Sequence, residues 1–444
     1  MSAGGLRRRL GLADLALAQV LLVVGTNWFG LAATQGGAGL VLWLLALVSF
    51  HLPLAKAVIH LTRACPEEGG IYEWVRRAFG PGAGFLAGWS FWFFALVYTA
   101  AGSLGVVTSF AYAFLPSGSV ESPALLLVGV PVVLGLVTLS AFLGLGVARF
   151  LHGAASLGLL AVVALLGAQV VTALAAGQAT ALAPAWPKLD LPTLAVFLKL
   201  AVYGLAGLEC LSILAGEVHA PEKNLPRSVM IAAPANGLIY LLGTAAVLVG
   251  LEGRQIDLVN PVAQVLATRG GPLATAVLLL LVLRDLGVSS QTFAANARLP
   301  MVAGWDHLLP PSLGRLDRRG IPVRAVLLCG VVSALLGLAA VVDAGRQEAF
   351  QLLLSVAGIL FGLFYLALFA LPLFGARRLG LPRSLALSAA ALVGLVMTAL
   401  FLALSIYPVI EVVSPGRFAL RVLAALLVVE VAGLALYWRQ RRRR

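Results

Sequence analysis

Three ionisable residues stand in stretches of sequence that are otherwise apolar. Glu209 lies in one stretch, and Arg284 and Asp285 are neighbours in another. An ionised side chain at the centre of a membrane helix costs ~2.5–3.5 kcal/mol on insertion scales, so each should face a bundle interior. Burial disfavours the ionised form of a carboxyl group, which suits Glu209 to carry a proton. The alternative for Glu209 is a hydrogen bond to nearby backbone. Arg284 and Asp285 point ~100° apart on a helix, so they need not pair with each other. Each is expected to pair across the bundle or to meet a water-filled path, in a structural role or in transport.

Two glycine-rich segments lie where an uninterrupted membrane helix needs none. They are Gly25-Thr26-Asn27-Trp28-Phe29-Gly30 and Tyr203-Gly204-Leu205-Ala206-Gly207-Leu208-Glu209. Glycine destabilises a helix interior by ~1 kcal/mol relative to alanine, and its ordinary use in a membrane is close helix packing. The alternative is an unwound stretch whose free backbone groups bind a substrate at mid-membrane. The second interpretation is favoured because two such segments occur five helices apart.

The composition predicts a membrane protein that is helical throughout. Of 444 residues, 61% are hydrophobic and only 11% are charged, whereas water-soluble chains carry about a quarter charged residues. The apolar runs lack the period-two alternation of a membrane β-barrel. We predict about twelve transmembrane helices, at residues 13–33, 39–61, 82–115, 124–143, 150–174, 192–216, 229–251, 272–297, 324–342, 348–374, 384–407 and 418–438.

The net charge of +13 is spread over short loops and an arginine-rich tail, which is typical of cytoplasmic loops beside anionic lipid and not of a nucleic-acid-binding face. Three scattered cysteines show no disulfide framework or metal spacing. His51 and His60 are interpreted as polar packing residues, and Lys56 and Lys199 as side chains that extend toward the membrane surface. No metal and no cofactor are predicted.

Several motifs taken together resemble the amino acid permeases of the amino acid–polyamine–organocation (APC) superfamily. The turn after the second span and the start of the third carry PEEGGIYEW (66–74), FGP (79–81), Gly84-Phe85 and Gly88-Trp89. The sixth span and the loop that follows carry Gly207-Leu208-Glu209, Glu217, Pro221 and Pro226-Arg227. The loop after the eighth span carries Arg298, Pro310 and Gly320-Ile321-Pro322-Val323.

The resemblance implies the leucine-transporter fold, with ten core helices in two inverted repeats (13–174 and 192–374) and two extra helices (384–438). It also implies uptake or exchange of amino acids or related amines. The chain departs from the family pattern at three places. Four residues separate Gly25 and Gly30 where the family has one between its glycines, His60 stands near a commonly acidic position, and Gly158 stands where some proton-coupled members carry lysine.

The predicted substrate site lies between the two glycine-rich segments. Substrate carboxylate is expected at N–H groups near Gly25 to Asn27, and substrate ammonium at carbonyls near Tyr203 to Gly207. The resemblance implies that Tyr203 caps the substrate, although packing is an equal alternative for it and for Trp28. The predicted substrate-binding residues are Gly25, Thr26, Asn27, Trp28, Gly30, Tyr203, Gly204, Ala206 and Gly207.

Four residues are predicted to act in coupling or gating: Glu209, Asp285, Ser289 and Ser290. In sodium-coupled relatives, hydroxyls of the eighth span help bind the ion. The favoured alternative for Ser289 and Ser290 is a hydrogen bond to the preceding helical turn.

The predicted function is a secondary transporter for a small molecule, an amino acid or an amine, that is proton-coupled or an exchanger. The sodium-coupled symporter and the non-transporting sensor or subunit of a larger complex remain alternatives. A membrane enzyme is not predicted, because the sequence shows no nucleophile–base pair and no metal constellation.

The distribution of basic residues predicts the orientation in the cytoplasmic (inner) membrane. Lysine and arginine concentrate in loops on one side of the predicted spans, and this side is cytoplasmic in most membrane proteins. Both termini should therefore be cytoplasmic, and the loop at residues 175–191 external. Reporter fusions at Gly177 and Arg444 test this, because an externally active fusion at Arg444 contradicts the orientation.

Overall fold

The computed structural model describes residues 10–66, 70–116, 118–143, 145–299, 309–310, 312–317, 320–342, 344–409, 412 and 414–442. Within them all regular structure is helical, apart from one isolated bridge between Leu10 and Val218. Residues 67–69 of the motif after the second span, much of the loop after the eighth span, Arg7 to Arg9 and the last two tail arginines lie outside these ranges.

The chain begins with two short helices, α1 (Leu12–Val23) and α2 (Asn27–Ala33), which meet at 51°. The helices that follow are α3 (Ala38–Ala64), α4 (Gly70–Phe79), α5 (Pro81–Phe114), α6 (Pro123–Leu143), α7 (Leu145–Ala175), α8 (Leu191–Gly204), the 3-10 helix α9 (Cys210–Glu217), α10 (Pro221–Gly250), α11 (Pro261–Arg269), α12 (Gly271–Arg298), α13 (Val323–Val341), α14 (Arg346–Leu379), α15 (Leu385–Leu404) and α16 (Pro415–Arg441).

Ten of these helices contain an unbroken stretch long and apolar enough to cross a bilayer in the described part of the chain. They are α3, α5, α6, α7, α10 and α12 to α16. The bent pair of α1 and α2 adds an eleventh span. The sixth predicted span is divided between α8 and α9, which are both too short to cross alone. The prediction of an all-helical membrane protein is confirmed, and the two interrupted spans occupy the first and sixth positions in chain order.

Two helices outside the spans were not predicted. The segment before the third span, expected to be a turn, folds as α4, whose buried face includes Ile71 and Trp74. Burial would raise the pKa of Glu73, but hydrogen bonds of 2.7 Å from Arg76 and Arg77 hold that pKa below its usual value. The loop before the eighth span contains α11, which begins at a proline, as many helices do.

The core of the bundle lies between α5 and α14, whose apolar side chains are mostly buried. Aromatic rings join these two helices, and the centroids of Phe94 and Phe361 are 4.3 Å apart. By contrast, α6, α13, α15 and α16 leave much of their apolar surface exposed, as helices that face lipid do. Tyr203 of the sixth span contacts this ring cluster, with its centroid 6.3 Å from those of Phe94 and Phe361.

Candidate functional site

The first interrupted span opens at Val24, Gly25 and Thr26. Here α1 has ended and α2 has not begun, so the regular hydrogen bonding of a helix stops. The backbone N–H groups of Thr26 and Asn27 have no hydrogen-bond partner within the described part of the chain. Free backbone groups at membrane depth are tolerated where they line a cavity, so these two donors are available to a ligand.

Tyr240 of α10 links the two interrupted spans. Its hydroxyl accepts a hydrogen bond from the N–H of Gly25 at 3.2 Å. It also lies 2.6 Å from the carbonyl oxygens of Val23 and Gly204 and donates its single hydrogen to one of them. The ring stacks on Trp43 at a centroid distance of 4.3 Å. Tyr240 was not predicted from the sequence, because nothing in the local pattern of a long apolar helix distinguishes it.

The second interruption is closed by side chains from other helices. Gly207 adopts a φ of +114°, a conformation that glycine reaches without strain. Its N–H donates to the hydroxyl of Tyr365 at 3.0 Å, and that hydroxyl donates to Glu209 Oε2 at 3.0 Å. Tyr365, on α14, was also missed from the sequence.

The carbonyl oxygens of this interruption have partners too. Gln19 Nε2 donates to the carbonyl of Leu208 at 2.6 Å, and His51 Nδ1 lies 3.2 Å from that of Leu205. These two carbonyls are bonded to the protein itself, and that of Gly204 lies beside the Tyr240 hydroxyl.

A cavity of about 60 Å³ lies against the first interruption. Five predicted site residues line it: Gly25, Thr26, Asn27, Asp285 and Ser289. Other lining residues stand outside the predicted set and come from α5, α12, α14 and the loop before α11: Tyr98, Gly102, Gly105, Val259, Asn260, Arg284, Phe350 and Leu354.

The other predicted site residues lie outside this cavity. Trp28 and Tyr203 contact each other edge to face at 5.1 Å, and Gly30 packs against Pro261. The hydroxyl of Ser290 is hydrogen-bonded to that of Ser140 on α6, not to the preceding turn. The remaining residues belong to the second interruption: Gly204, Ala206, Gly207 and Glu209.

Arg284 and Asp285 pair with each other, Nη1 to Oδ1 at 2.8 Å, and both side chains are buried. This pairing of neighbours was not expected, and it forms because the long arginine side chain curls back along the helix. Each also bonds across the bundle. Arg284 Nη2 donates to the carbonyl of Val24, and Asp285 Oδ2 accepts from Ser109 at 2.9 Å.

Gly158 of α7 packs closely against α12 beside Arg284. A Cβ atom at this position would lie 2.6 Å from the carbonyl oxygen of Leu280 and 2.8 Å from the Cβ of Arg284. Only glycine therefore allows α7 and α12 to approach this closely without a shift. Gly158 stands where the family resemblance places a lysine in some members. Here it allows close packing beside Arg284.

A wider cavity of about 1110 Å³ lies near the small one, and the consecutive residues Leu258 and Val259 line one each. Among its lining residues, the buried Arg346 donates to Asp257 at 2.9 Å and to Glu121 at 2.5 Å. Tyr112 donates to the same aspartate at 2.8 Å. A charged network thus joins α5, α14 and two loops beside the wide cavity, which we call the vestibule.

Comparison with known proteins agrees with this architecture. The amino acid permease family matches residues 10–429. The chain belongs to this family. It is 24% identical to an uncharacterized transporter of Legionella pneumophila over 82% of this chain and 80% of the relative.

Two further relatives carry names that state what they move. A probable agmatine/putrescine antiporter of Lactococcus lactis is 23% identical over 82% of this chain and 78% of its own length. A D-serine/D-alanine/glycine transporter of Escherichia coli is 24% identical over 80% and 78%. The permease thus resembles proteins whose names give chemically different cargoes.

The interruptions can be tested with leucine substitutions. At Gly25 a new Cβ would lie 2.8 Å from Asn27 Oδ1 and from a ring atom of Trp28, and at Gly207 the backbone disfavours any side chain. We expect Gly25→Leu and Gly207→Leu to reduce substrate binding at least ~10-fold, with normal membrane insertion. Binding of labelled substrate to the purified variants measures this.

Gly135→Leu is the matched control, because Gly135 lies on the exposed side of α6 and a Cβ atom added there would meet no other atom within 4 Å. It should bind substrate as the parent protein does. Unchanged affinity in both test variants would mean that the interruptions are packing features only.

Proposed function

We propose that this permease is a secondary transporter that carries amino acids or related amines across the cytoplasmic membrane by alternating access. One observation carries the proposal: the free N–H groups of Thr26 and Asn27 face a cavity beside a buried ion pair, deep within a helix bundle. Unsatisfied backbone at this depth is tolerated where it lines a binding cavity. The named relatives support both cargo classes, amines and small amino acids.

Within this proposal the substrate carboxylate binds at Thr26 and Asn27, and access alternates around that point. The two repeats, 13–174 and 192–374, contribute one interrupted span each. Tyr240, on α10 of the second repeat, lies within hydrogen-bond distance of Gly25 in the first repeat and of Gly204 in the sixth span, so a rotation of one repeat against the other strains its bond to Gly25. Tyr240 thereby couples the movement of the first span to that of the sixth.

The orientation with both termini in the cytoplasm is part of the proposal. The vestibule is lined by loop residues that the basic-residue distribution assigns to the external side: Gly36, Glu121, Ala181, Gly253 and Gly345. The basic helix α4, with Arg76 and Arg77, belongs to a loop assigned to the opposite side. The vestibule is accordingly the external entrance in the proposed orientation.

Transport is proposed to be proton-coupled or an exchange, without sodium. Two oxygens suited to a sodium site are already engaged, the Val24 carbonyl by Arg284 and the Ser290 hydroxyl by Ser140. Glu209 is the proposed proton carrier, since it is buried beside the second interruption with Tyr365 as its partner. Protonation of Glu209 changes the hydrogen bond that it accepts from Tyr365. It thereby also changes the hydrogen bond between the Tyr365 hydroxyl and the N–H of Gly207.

Counterflow in proteoliposomes tests the transport function. Liposomes loaded with an unlabelled amino acid or amine should accumulate the same labelled compound from outside, and empty liposomes should not. Absence of counterflow with every compound of both classes would contradict transport and favour a sensor or a subunit of a larger complex.

Coupling is tested with imposed gradients. We expect an inward proton gradient, and not a sodium gradient, to drive accumulation in the parent protein. Glu209→Gln should retain counterflow and lose proton-driven accumulation, because glutamine keeps an acceptor for Tyr365 but does not titrate. Accumulation driven by sodium alone would contradict the assignment.

A further inference from the structure

The small cavity has hydrogen-bond donors without acceptors. The guanidinium of Arg284 uses Nη1 for Asp285 and Nη2 for the Val24 carbonyl, whereas its buried Nε–H has no partner in the described residues. The N–H groups of Thr26 and Asn27 are also without partners in those ranges. A buried donor that lacks an acceptor costs ~1–3 kcal/mol, more when it is charged. A ligand that brings acceptor oxygens removes this cost.

The strongest acceptors at the cavity, by contrast, are already engaged. Asp285 accepts from Arg284 through Oδ1, and from Ser109 and Asn260 through Oδ2 at 2.9 and 3.0 Å. The amide oxygen of Asn260 accepts from the N–H of Ala263 at 3.1 Å. A cationic ligand therefore meets one carboxylate, whose charge is paired with Arg284 and which already accepts three hydrogen bonds.

We propose that Arg284 binds the carboxylate of the substrate through Nε–H, together with the N–H groups of Thr26 and Asn27. Asp285 is a positioning residue that holds the guanidinium in place. The inference rests on the proposed transport function and decides between its two cargo classes. Amino acids are substrates, and the amines that correspond to them without a carboxylate are not.

The balance of charge supports this selection. The charges of Arg284 and Asp285 cancel, so this pair gives the cavity no net electrostatic attraction for a monoamine or diamine. A carboxylate gains a charge-assisted hydrogen bond from the guanidinium, and such bonds are about twice as strong as neutral ones. The ammonium group of a zwitterion needs only neutral acceptors, and the hydroxyls of Tyr98 and Ser289 line the same cavity.

The cavity also limits the size of the substrate side chain. Its volume of about 60 Å³ is small beside the about 1110 Å³ of the vestibule. Two glycines of α5 contribute to this space. A Cβ at Gly102 would lie 2.9 Å from Ser289 Oγ, whereas one at Gly105 would meet no atom within 4 Å. Small amino acids are therefore the expected substrates. A larger side chain in place of Gly105 would occupy free space in the cavity without a clash.

A panel of matched ligands tests carboxylate recognition on the unaltered protein in detergent, with thermal stabilisation as the measurement. The pairs are glycine and methylamine, alanine and ethylamine, alanine and alaninamide, and ornithine and putrescine. We expect glycine and alanine to raise the melting temperature in proportion to concentration, and none of the compounds without a carboxylate to do so. Stabilisation by ethylamine or putrescine equal to that by alanine would overturn the inference.

The panel separates failure of this inference from failure of the proposed function. If only amines are transported, the transport function stands, but Arg284 does not bind a substrate carboxylate. If no compound binds and none shows counterflow, the transport function itself fails, and the carboxylate site with it.

Arg284→Lys tests the residue directly. Lysine keeps the positive charge near Asp285 but has no donor at the position of Nε, so alanine affinity should fall about 10- to 100-fold. Leu279→Ala, on the exposed side of the same helix, is the control and should bind alanine as the parent does. Parental affinity in Arg284→Lys would overturn the assignment.

Gly105→Leu adds a size test. It should abolish alanine binding, or reduce it more than glycine binding, while the melting temperature without ligand stays at the parental value. Equal binding of both amino acids at parental affinity would place the substrate outside this cavity. If Arg284→Lys does not fold, this variant and the ligand panel still decide the inference.

Discussion

The two helix interruptions depend on one constraint, that polar backbone groups in a bilayer need partners from the protein or from a ligand. At the second interruption the protein supplies several: Gln19 and His51 bond to the carbonyls of Leu208 and Leu205, and Tyr365 bonds to the N–H of Gly207. At the first interruption Arg284 bonds to the carbonyl of Val24, but the N–H groups of Thr26 and Asn27 have no partner in the described ranges. These two residues line the small cavity, whereas the residues of the second interruption do not, so we expect a ligand to bind at the first interruption.

The same side chains tie the interruptions to one another. The Tyr240 hydroxyl contacts backbone of both, and Trp43 fixes its ring by stacking. Arg284 joins α12 to the end of α1, and Gly158 gives it the required space beside α7. A movement of the first span must therefore alter contacts on α10 and α12. The geometry thus gives the proposed alternating access a physical route.

The sequence predicted the helical membrane fold because the length and apolarity of each run are local properties. It also indicated both interruptions, since Gly25 and Gly207 are unfavourable within a helix. It did not reveal Tyr240, Tyr365 or Asn260, whose roles come from helices and loops far apart in the chain. A local pattern does not record which distant hydroxyl or amide completes a cavity.

The adjacent pair Arg284-Asp285 shows a different limit. Backbone geometry separates their Cβ directions, but the length of the arginine side chain lets it return to its neighbour. Similarly, α4 and α11 were missed because short helices outside the spans carry little apolar signal. Residues that line the cavity were thus partly predictable, whereas their pairing was not.

The central claim is that substrate occupies the small cavity at the first interruption. A structure determined by electron cryomicroscopy, with the amino acid that gives the strongest counterflow, tests it most directly. We expect ligand density within hydrogen-bond distance of the Thr26 and Asn27 N–H groups and of Arg284 Nε. Density confined to the vestibule, or to the region around Tyr203 and Gly207, would contradict the claim.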